Sequence, residues 1–251
     1  MATTGTLGAE ERRARLTTIL ERDGQISIDA AAPELDVSAM TVRRDLVDLE
    51  SLGVLRRVRG GAIPTPRPRT FRERTATGAR EKAAIVDKAR ALLPRSGAIA
   101  IDASTTAGGM GRRFESSLTV ATNSYDNFLT ARQNPEAVPI LIGGTAESRT
   151  DSFVGPIACQ AAASVLYRRF FLSSAAVDPD LGTSEVTLEE AQVKQAFARA
   201  SDETILLVAS AKLGQRALAV GFGLDDIGIL VTELDPSDPA LDAYRGRVEL
   251  L

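Results

Sequence analysis

Three side chains near the start of the sequence, Thr41, Arg43 and Arg44, carry the donors needed to hydrogen-bond the edges of DNA bases. An arginine can bond guanine bidentately in the major groove, and a threonine offers both a hydroxyl and a methyl. A second set is spread through the rest of the chain: Asp102, several clusters of Ser and Thr, Lys194 and Lys212. Backbone N–H groups and hydroxyls at helix N-termini, with lysines beside them, make an anion site, and a carboxylate there can accept from sugar hydroxyls. Each set works only if the sequence builds elements that present it.

For the first set, the stretch Ser38 to Gly61 supplies them. Ser38 suits an N-cap, since its hydroxyl can accept from a free N–H of the first helical turn. Val42, Leu46, Leu49 and Gly53 recur at three-to-four spacing, so one face is apolar until a glycine stops it. Thr41, Arg43, Arg44 and Asp48 fall outside that stripe. Val54-Leu55-Arg56-Arg57-Val58-Arg59 then alternates apolar and charged residues before Gly60-Gly61, which predicts a strand and a Gly-Gly turn with cations on one edge. A capped helix with a basic hairpin is how a winged helix-turn-helix holds a duplex. The candidate DNA-binding residues are therefore Ser38, Met40, Thr41, Arg43, Arg44, Arg57, Arg59 and Gly60. Upstream, Glu10 to Asp23 is helical by pattern, with Leu16, Ile19 and Leu20 on one face and Gly24 as the stop. Ile26-Ser27-Ile28 reads as an apolar bridge, and Asp29 to Leu35 as the first helix of the pair. The plainer alternative is a small helical core whose arginines are merely solvated.

The 251 residues allow a small module plus one larger domain. The formal net charge is −3, so DNA affinity cannot come from overall basicity. It has a local source: Arg56, Arg57, Arg59, Arg67, Arg69, Arg72, Arg74 and Arg80 face only Glu73, an electrostatic footprint for phosphates or an ordinary charged linker. There is no histidine and one cysteine, Cys159, which excludes Ser-His-Asp and Cys-His catalysis and His/Cys metal sites. A lone cysteine forms no internal disulfide, in keeping with a reducing compartment. No apolar run is long enough to cross a bilayer, and residues 1–8 lack the regions of a signal peptide and read as a disordered tail. A cytoplasmic protein without cofactor, metal or membrane partner is expected.

Domain boundaries follow from composition: a winged helix-turn-helix over 9–63, a proline-rich linker over 64–75, and a larger domain over 76–251. A helix is expected around Phe71 to Lys88. Beyond it, short apolar runs alternate with helical patterns: Ala98–Ile101, Leu118–Ala121, Val138–Ile142, Phe170–Leu172, Thr204–Val208 and Ile227–Val231 are the strands. Such interleaving predicts an α/β domain with a mostly parallel sheet covered on both faces. Ligands then bind outside the carboxyl ends of the strands. The loops there carry Asp102, Ser104, Thr105 and Thr106; Thr122, Asn123 and Ser124; Gly143 and Gly144; and Ser173 to Asp178, to which Lys194 and Lys212 can add charge. The same Ser and Thr residues also suit plain helix capping, Asp102 suits a turn, and Lys194 follows Glu190 by four, the spacing of a helix-surface pair.

The run from Arg12 through Leu16, Leu20, Ser27, Ser38, Thr41-Val42-Arg43-Arg44-Asp45-Leu46, Leu49, Gly53 and Arg57 to Gly60-Gly61-Ala62 resembles the DeoR-type bacterial transcriptional repressors. The chain departs from that pattern at Ala30-Ala31-Ala32-Pro33, where a leucine-rich helix is usual, and at Asp36, where a glycine is common. Pro33 predicts a shortened or shifted helix there. The resemblance continues through Asp102-Ala-Ser-Thr-Thr106, Thr122-Asn123-Ser124, Gly143-Gly144, Phe171 to Asp178, Val193-Lys194 and Ser210-Ala-Lys212. It implies a sensor domain similar in fold to ribose-phosphate isomerases and CoA transferases, with those positions binding a phosphorylated sugar or related metabolite. Ser104 and Ser173-Ser174 stand where the family has glycine. Two functions follow as expectations. One is a homo-oligomeric repressor of carbohydrate-metabolism genes, with a double-stranded operator and a small effector as partners. The other is a sugar-phosphate isomerase-like enzyme using Asp102, Asp178 or Glu185 as a base.

Overall fold

A computed structural model describes residues 8–51, 54–64, 71–112, 114, 117–147 and 150–251, with backbone only for Glu21, Ser51, Pro64, Phe71, Arg72, Glu73 and Arg112. The first seven residues of the tail, the Gly53 stop, and Arg67 and Arg69 of the arginine cluster lie outside the described residues. The chain divides into two units, residues 1–67 and 68–251.

In the first unit, α1 (Ala9–Asp23) ends at Gly24, whose N–H bonds the Leu20 carbonyl. Strand β1 (Ile26–Ser27) leads into α2 (Ile28–Glu34), then α3 (Ala39–Ser51), β2 (Leu55–Val58) and β3 (Gly61–Pro64). Leu16, Leu20, Val42, Leu46, Leu49 and Leu55 are buried together, so the apolar stripes of α1 and α3 meet over the hairpin. β3 pairs antiparallel with both β2 and β1, so the apolar bridge is the third strand of the wing sheet. The turn is Arg59-Gly60, one residue earlier than the expected Gly-Gly, and Gly61 is the first residue of β3. Its identity is fixed by that pairing, because a Cβ there would lie 1.8 Å from the Ile26 carbonyl oxygen.

Pro33 sits inside α2, which runs only seven residues, the shortening the proline predicts. Past it, exposed Asp36 takes φ 53, the left-handed region where a Cβ is strained. Asp36→Gly is therefore expected to stabilise the first unit by about 0.5–1 kcal/mol. A urea midpoint that stays put would contradict this.

The second unit opens with two helices rather than the one expected: α4 (Phe71–Ala76) and α5 (Ala79–Ala89). Gly78 at φ 64 breaks the run between them. Next come β4 (Gly97–Ile101), the short α6 (Thr105–Gly108), β5 (Leu118–Thr122), α7 (Tyr125–Arg132) and β6 (Ala137–Leu141). The hairpin β7 (Thr145–Glu147) and β8 (Ser152–Val154) precedes α8 (Pro156–Ala162) and β9 (Arg169–Leu172). The chain continues through β10 (Ala176–Asp178), β11 (Gly182–Glu185), α9 (Leu188–Arg199), β12 (Thr204–Leu207), β13 (Ala219–Val220), β14 (Ile229–Val231) and β15 (Glu249–Leu250).

Among the described residues, seven strands form one parallel sheet in the order β15-β14-β12-β9-β4-β5-β6. Side chains alternate between its faces: Ala100, Phe170 and Leu172 enter one core, Ile99, Ile101 and Phe171 the other. That is why the strands read as unbroken apolar runs. A smaller antiparallel sheet, β10-β11-β13, was not anticipated.

Candidate functional site

In the first unit the expected cap is made: Ser38 Oγ accepts from the Thr41 N–H at 3.1 Å and lies 2.9 Å from its hydroxyl. α3 buries Val42, Leu46 and Leu49 and also Asp45, which Arg12 grips at 2.6 and 3.0 Å. This fork ties α1 to α3 and fixes which face of α3 is outward. Met40, Arg43 and Arg44 are exposed there, with Thr41 half-buried, and Arg43 and Arg44 enter no ion pair among the described residues. Asp48, on the flank, pairs with Arg13 at 2.9 Å.

On the wing, Arg56, Arg57, Arg59 and Gly60 are exposed. Arg57 is held rather than loose: its N–H and Nε bond the Glu50 carboxylate at 2.8 and 2.6 Å. The backbone N–H first, then the guanidinium, hold that carboxyl below its usual range. Glu50 thus pins the hairpin to the end of α3. The result is a concave surface lined by Met40, Arg43, Arg44, Val47, Arg57 and Val58.

In the second unit the centre of the candidate site is Asp102, fully buried just past β4. Its carboxylate accepts from the Ser104 N–H at 3.0 Å and the Ser173 N–H at 3.1 Å. Lys194, from α9, lies 3.3 Å from the same carboxylate and 2.8 Å from Glu185, and donates to the Ser173 carbonyl at 2.8 Å. Burial pulls Lys194 down, but Glu185, Asp102 and Glu190 outweigh it and hold the ammonium above its ordinary value. Burial likewise raises the Glu185 carboxyl, against the pull of Lys194. Lys212 approaches from the other side, donating to the Ser174 carbonyl at 2.6 Å and to the Ser173 hydroxyl at 3.3 Å. Burial, then the Lys194 charge, push Lys212 down to about 8.

The neighbouring loops build the rim. Ser104 caps α6 by accepting from the Ala107 N–H at 3.0 Å, and Ser124 caps α7 by accepting from Asn127 at 3.3 Å. Thr122 Oγ1 accepts from the Ser124 N–H, and Asn123 donates to the Phe153 carbonyl at 3.0 Å. Asn123 Oδ1 is buried without a hydrogen-bond partner, an acceptor aimed at nothing among the described residues. Thr106 is buried and Thr105 half-buried beside Lys82 and Thr130 in a cleft of about 350 Å³. Gly143 is exposed, while Gly144 packs so closely on Val154 and Ala158 that a Cβ would clash.

Asp178 is not drawn into the cluster by any of its bonds. It accepts from the Asp180 and Leu181 N–H groups of the β10–β11 turn and from Arg216 at 2.6 Å. Arg216 first, then the turn, hold its carboxyl down to about 2.

Sequence reasoning missed the residues that position the others. Glu185 is the buried partner of Lys194, where the spacing had suggested Glu190. Asn127 Nδ2 donates to the carbonyls of Asp102 and Ser104 at 2.8 and 3.1 Å, locking the first loop. Arg74 donates to the Thr150 carbonyl at 2.8 Å and the Ala103 carbonyl at 3.4 Å, and Lys82 donates to the Arg74 and Thr77 carbonyls. One signal for Asn127 was available, since it stands three residues after the Ser124 cap on the inward side of its helix.

Residues 12–65 match the DeoR-like helix-turn-helix domain and residues 77–234 the DeoR C terminal sensor domain. The chain is 31% identical to the HTH-type transcriptional regulator YulB of Bacillus subtilis, with 90% of each chain covered. It is 30% identical to the lactose phosphotransferase system repressor of Streptococcus mutans (91% of this chain, 94% of the other). It is 28% identical to the HTH-type transcriptional regulator GlpR of Haloferax volcanii, with 90% of each covered. Among solved structures, ribose 5 phosphate isomerase A from Neisseria gonorrhoeae superposes with a TM-score of 0.36 at 12% identity, over 53% of this chain and 52% of that one. With both domains matched in one polypeptide and regulators aligned along nine-tenths of it, the chain belongs to the DeoR family of transcriptional regulators.

Proposed function

We propose that this chain is a cytoplasmic repressor of carbohydrate-metabolism genes whose hold on a double-stranded operator responds to a phosphorylated sugar or related metabolite. Exposed Arg43 and Arg44 on a capped helix supply base readout, and the wing supplies phosphate contacts through Arg59 and, oriented by Glu50, Arg57. Two half-sites require two copies, so a homo-oligomer is part of the reading. The lactose phosphotransferase system repressor among its relatives supports the carbohydrate connection.

One observation carries the sensing half. Lys194 and Lys212 stand astride Ser173-Ser174, and the charge of Lys82 is felt at Lys212 as well. Glu185, Asp102 and Glu190 also act on Lys194, so the cluster sets lysines and carboxylates side by side next to loops rich in Ser and Thr, a mixture suited to the phosphate and hydroxyls of one ligand. Asn123 Oδ1, the unpartnered buried acceptor, suits a sugar hydroxyl. An isomerase would need an uncommitted base, yet Asp102 and Glu185 are engaged by Lys194 and Asp178 by Arg216. A thermal-shift screen over pentose and hexose phosphates tests the assignment, since a ligand that binds only the folded state raises its stability. The hit should alter operator binding without being converted. Turnover of the hit would favour the enzyme instead.

The Lys212 position gives the pH dependence a sign. A phosphate monoester is a dianion above about pH 6, and Lys212 carries its proton below about 8. Effector affinity should therefore rise on going above about pH 6 and fall as pH passes 8, with proton uptake on binding in that upper range. Titration calorimetry in two buffers of different ionisation enthalpy reads both. Affinity that is flat from pH 7 to 9 would remove Lys212 from the site.

A further inference from the structure

The outward face of α3 is not uniformly polar. Met40 is 63% exposed and Val47 44% exposed, with Arg43 and Arg44 between them; across the groove, Val58 on the wing is also 44% exposed. These residues line one concavity of about 400 Å³ rather than lying scattered, which sets them apart from ordinary exposed apolar side chains. Their apolar surface stays in water in the free protein while arginines surround it. Such a mixture fits a partner that presents methyl groups and hydrogen-bond acceptors side by side along an anionic groove. In the DNA major groove, thymine offers the methyl and guanine the two acceptors.

We infer that Met40 and Val47 are specificity residues that read thymine 5-methyl groups on either side of guanine contacts made by Arg43 and Arg44. This rests on the DNA-reading assignment above and adds the identity of the bases read. A helix rises 1.5 Å per residue, so Met40 and Val47 are about 10 Å apart along α3, about three base-pair steps. The preferred half-site accordingly holds two thymines about three steps apart with guanine between them, on either strand. Val58 closes the groove from the wing side and excludes water from the methyl beside Val47.

The test uses the full chain. Selection from random duplexes yields the bound sequence, and each thymine in it is then replaced singly by deoxyuridine. That change removes only the 5-methyl and leaves pairing and every groove hydrogen bond intact. At one or two thymines the wild-type protein should lose about three- to fivefold in affinity, the scale of one buried methyl. In Met40→Ala or Val47→Ala, whose truncated side chains are exposed and leave the fold intact, the penalty at the matching thymine should vanish. Specific enrichment with silent uracil substitutions overturns this inference alone, as do penalties undiminished in both variants. A selection that enriches nothing overturns the DNA-reading assignment and this inference with it.

Discussion

Lys194→Met is expected to destabilise the second unit by about 3–5 kcal/mol, because it removes one partner of a buried ion network and leaves the others in place. Lys194 touches Asp102, Glu185 and the Ser173 carbonyl, all buried. Methionine fills similar volume, so the loss comes from two carboxylates and one carbonyl without their cation rather than from a cavity. The deficit should shrink as pH falls, since burial already raises the Glu185 carboxyl and, without the ammonium, it can take up a proton in the folded state. Adding Glu185→Gln should recover part of it at neutral pH. Urea unfolding of the single and double variants, followed by a probe in the second unit, measures both effects. A loss under about 1 kcal/mol would show that the cluster does not need its ammonium.

What could be read from the sequence was what neighbours in sequence decide. The Ser38 cap, the Val42-Leu46-Leu49 stripe and the proline-shortened α2 are local, and they stand where the pattern puts them. The parallel sheet was equally legible, because strands covered on both faces must be apolar at every position. The helix break at Gly78 was missed because one glycine inside a helical pattern is tolerated as often as not. The anchoring pairs stayed hidden for a different reason. Arg12 meets Asp45 and Arg216 meets Asp178 across more than 30 residues, and nothing in a charge's own neighbourhood names its partner. Glu185 shows this most clearly. It lies on β11, in a sheet assembled from β10 and the distant β13, so no periodicity announces that it faces Lys194. The candidate ligand loops were found by composition, while the residues that orient them, Asn127 and Arg74, emerged only from the fold.

Removing Arg43 and Arg44 should cut operator discrimination steeply while leaving the protein folded. Each guanidinium is exposed and outside any ion pair among the described residues, so alanine there disturbs neither the α3 stripe nor the Arg12–Asp45 fork. Thermal stability should stay within about 0.5 kcal/mol of wild type. Each arginine that bonds a base is worth about 1–3 kcal/mol of discrimination, so the double variant should lose about 2–6 kcal/mol on its specific site. On a scrambled duplex the loss should be far smaller, since only long-range charge is removed there. Arg59→Ala is the contrasting case. Exposed at the tip of the wing and assigned above to backbone phosphates, it should weaken specific and scrambled duplexes alike and reduce the salt slope by about one. Fluorescence anisotropy against both duplexes over a range of salt concentrations separates the two patterns. If Arg43→Ala and Arg44→Ala lost affinity equally on both duplexes, α3 would be gripping the backbone rather than reading bases, and the choice of operator would have to come from elsewhere in the chain.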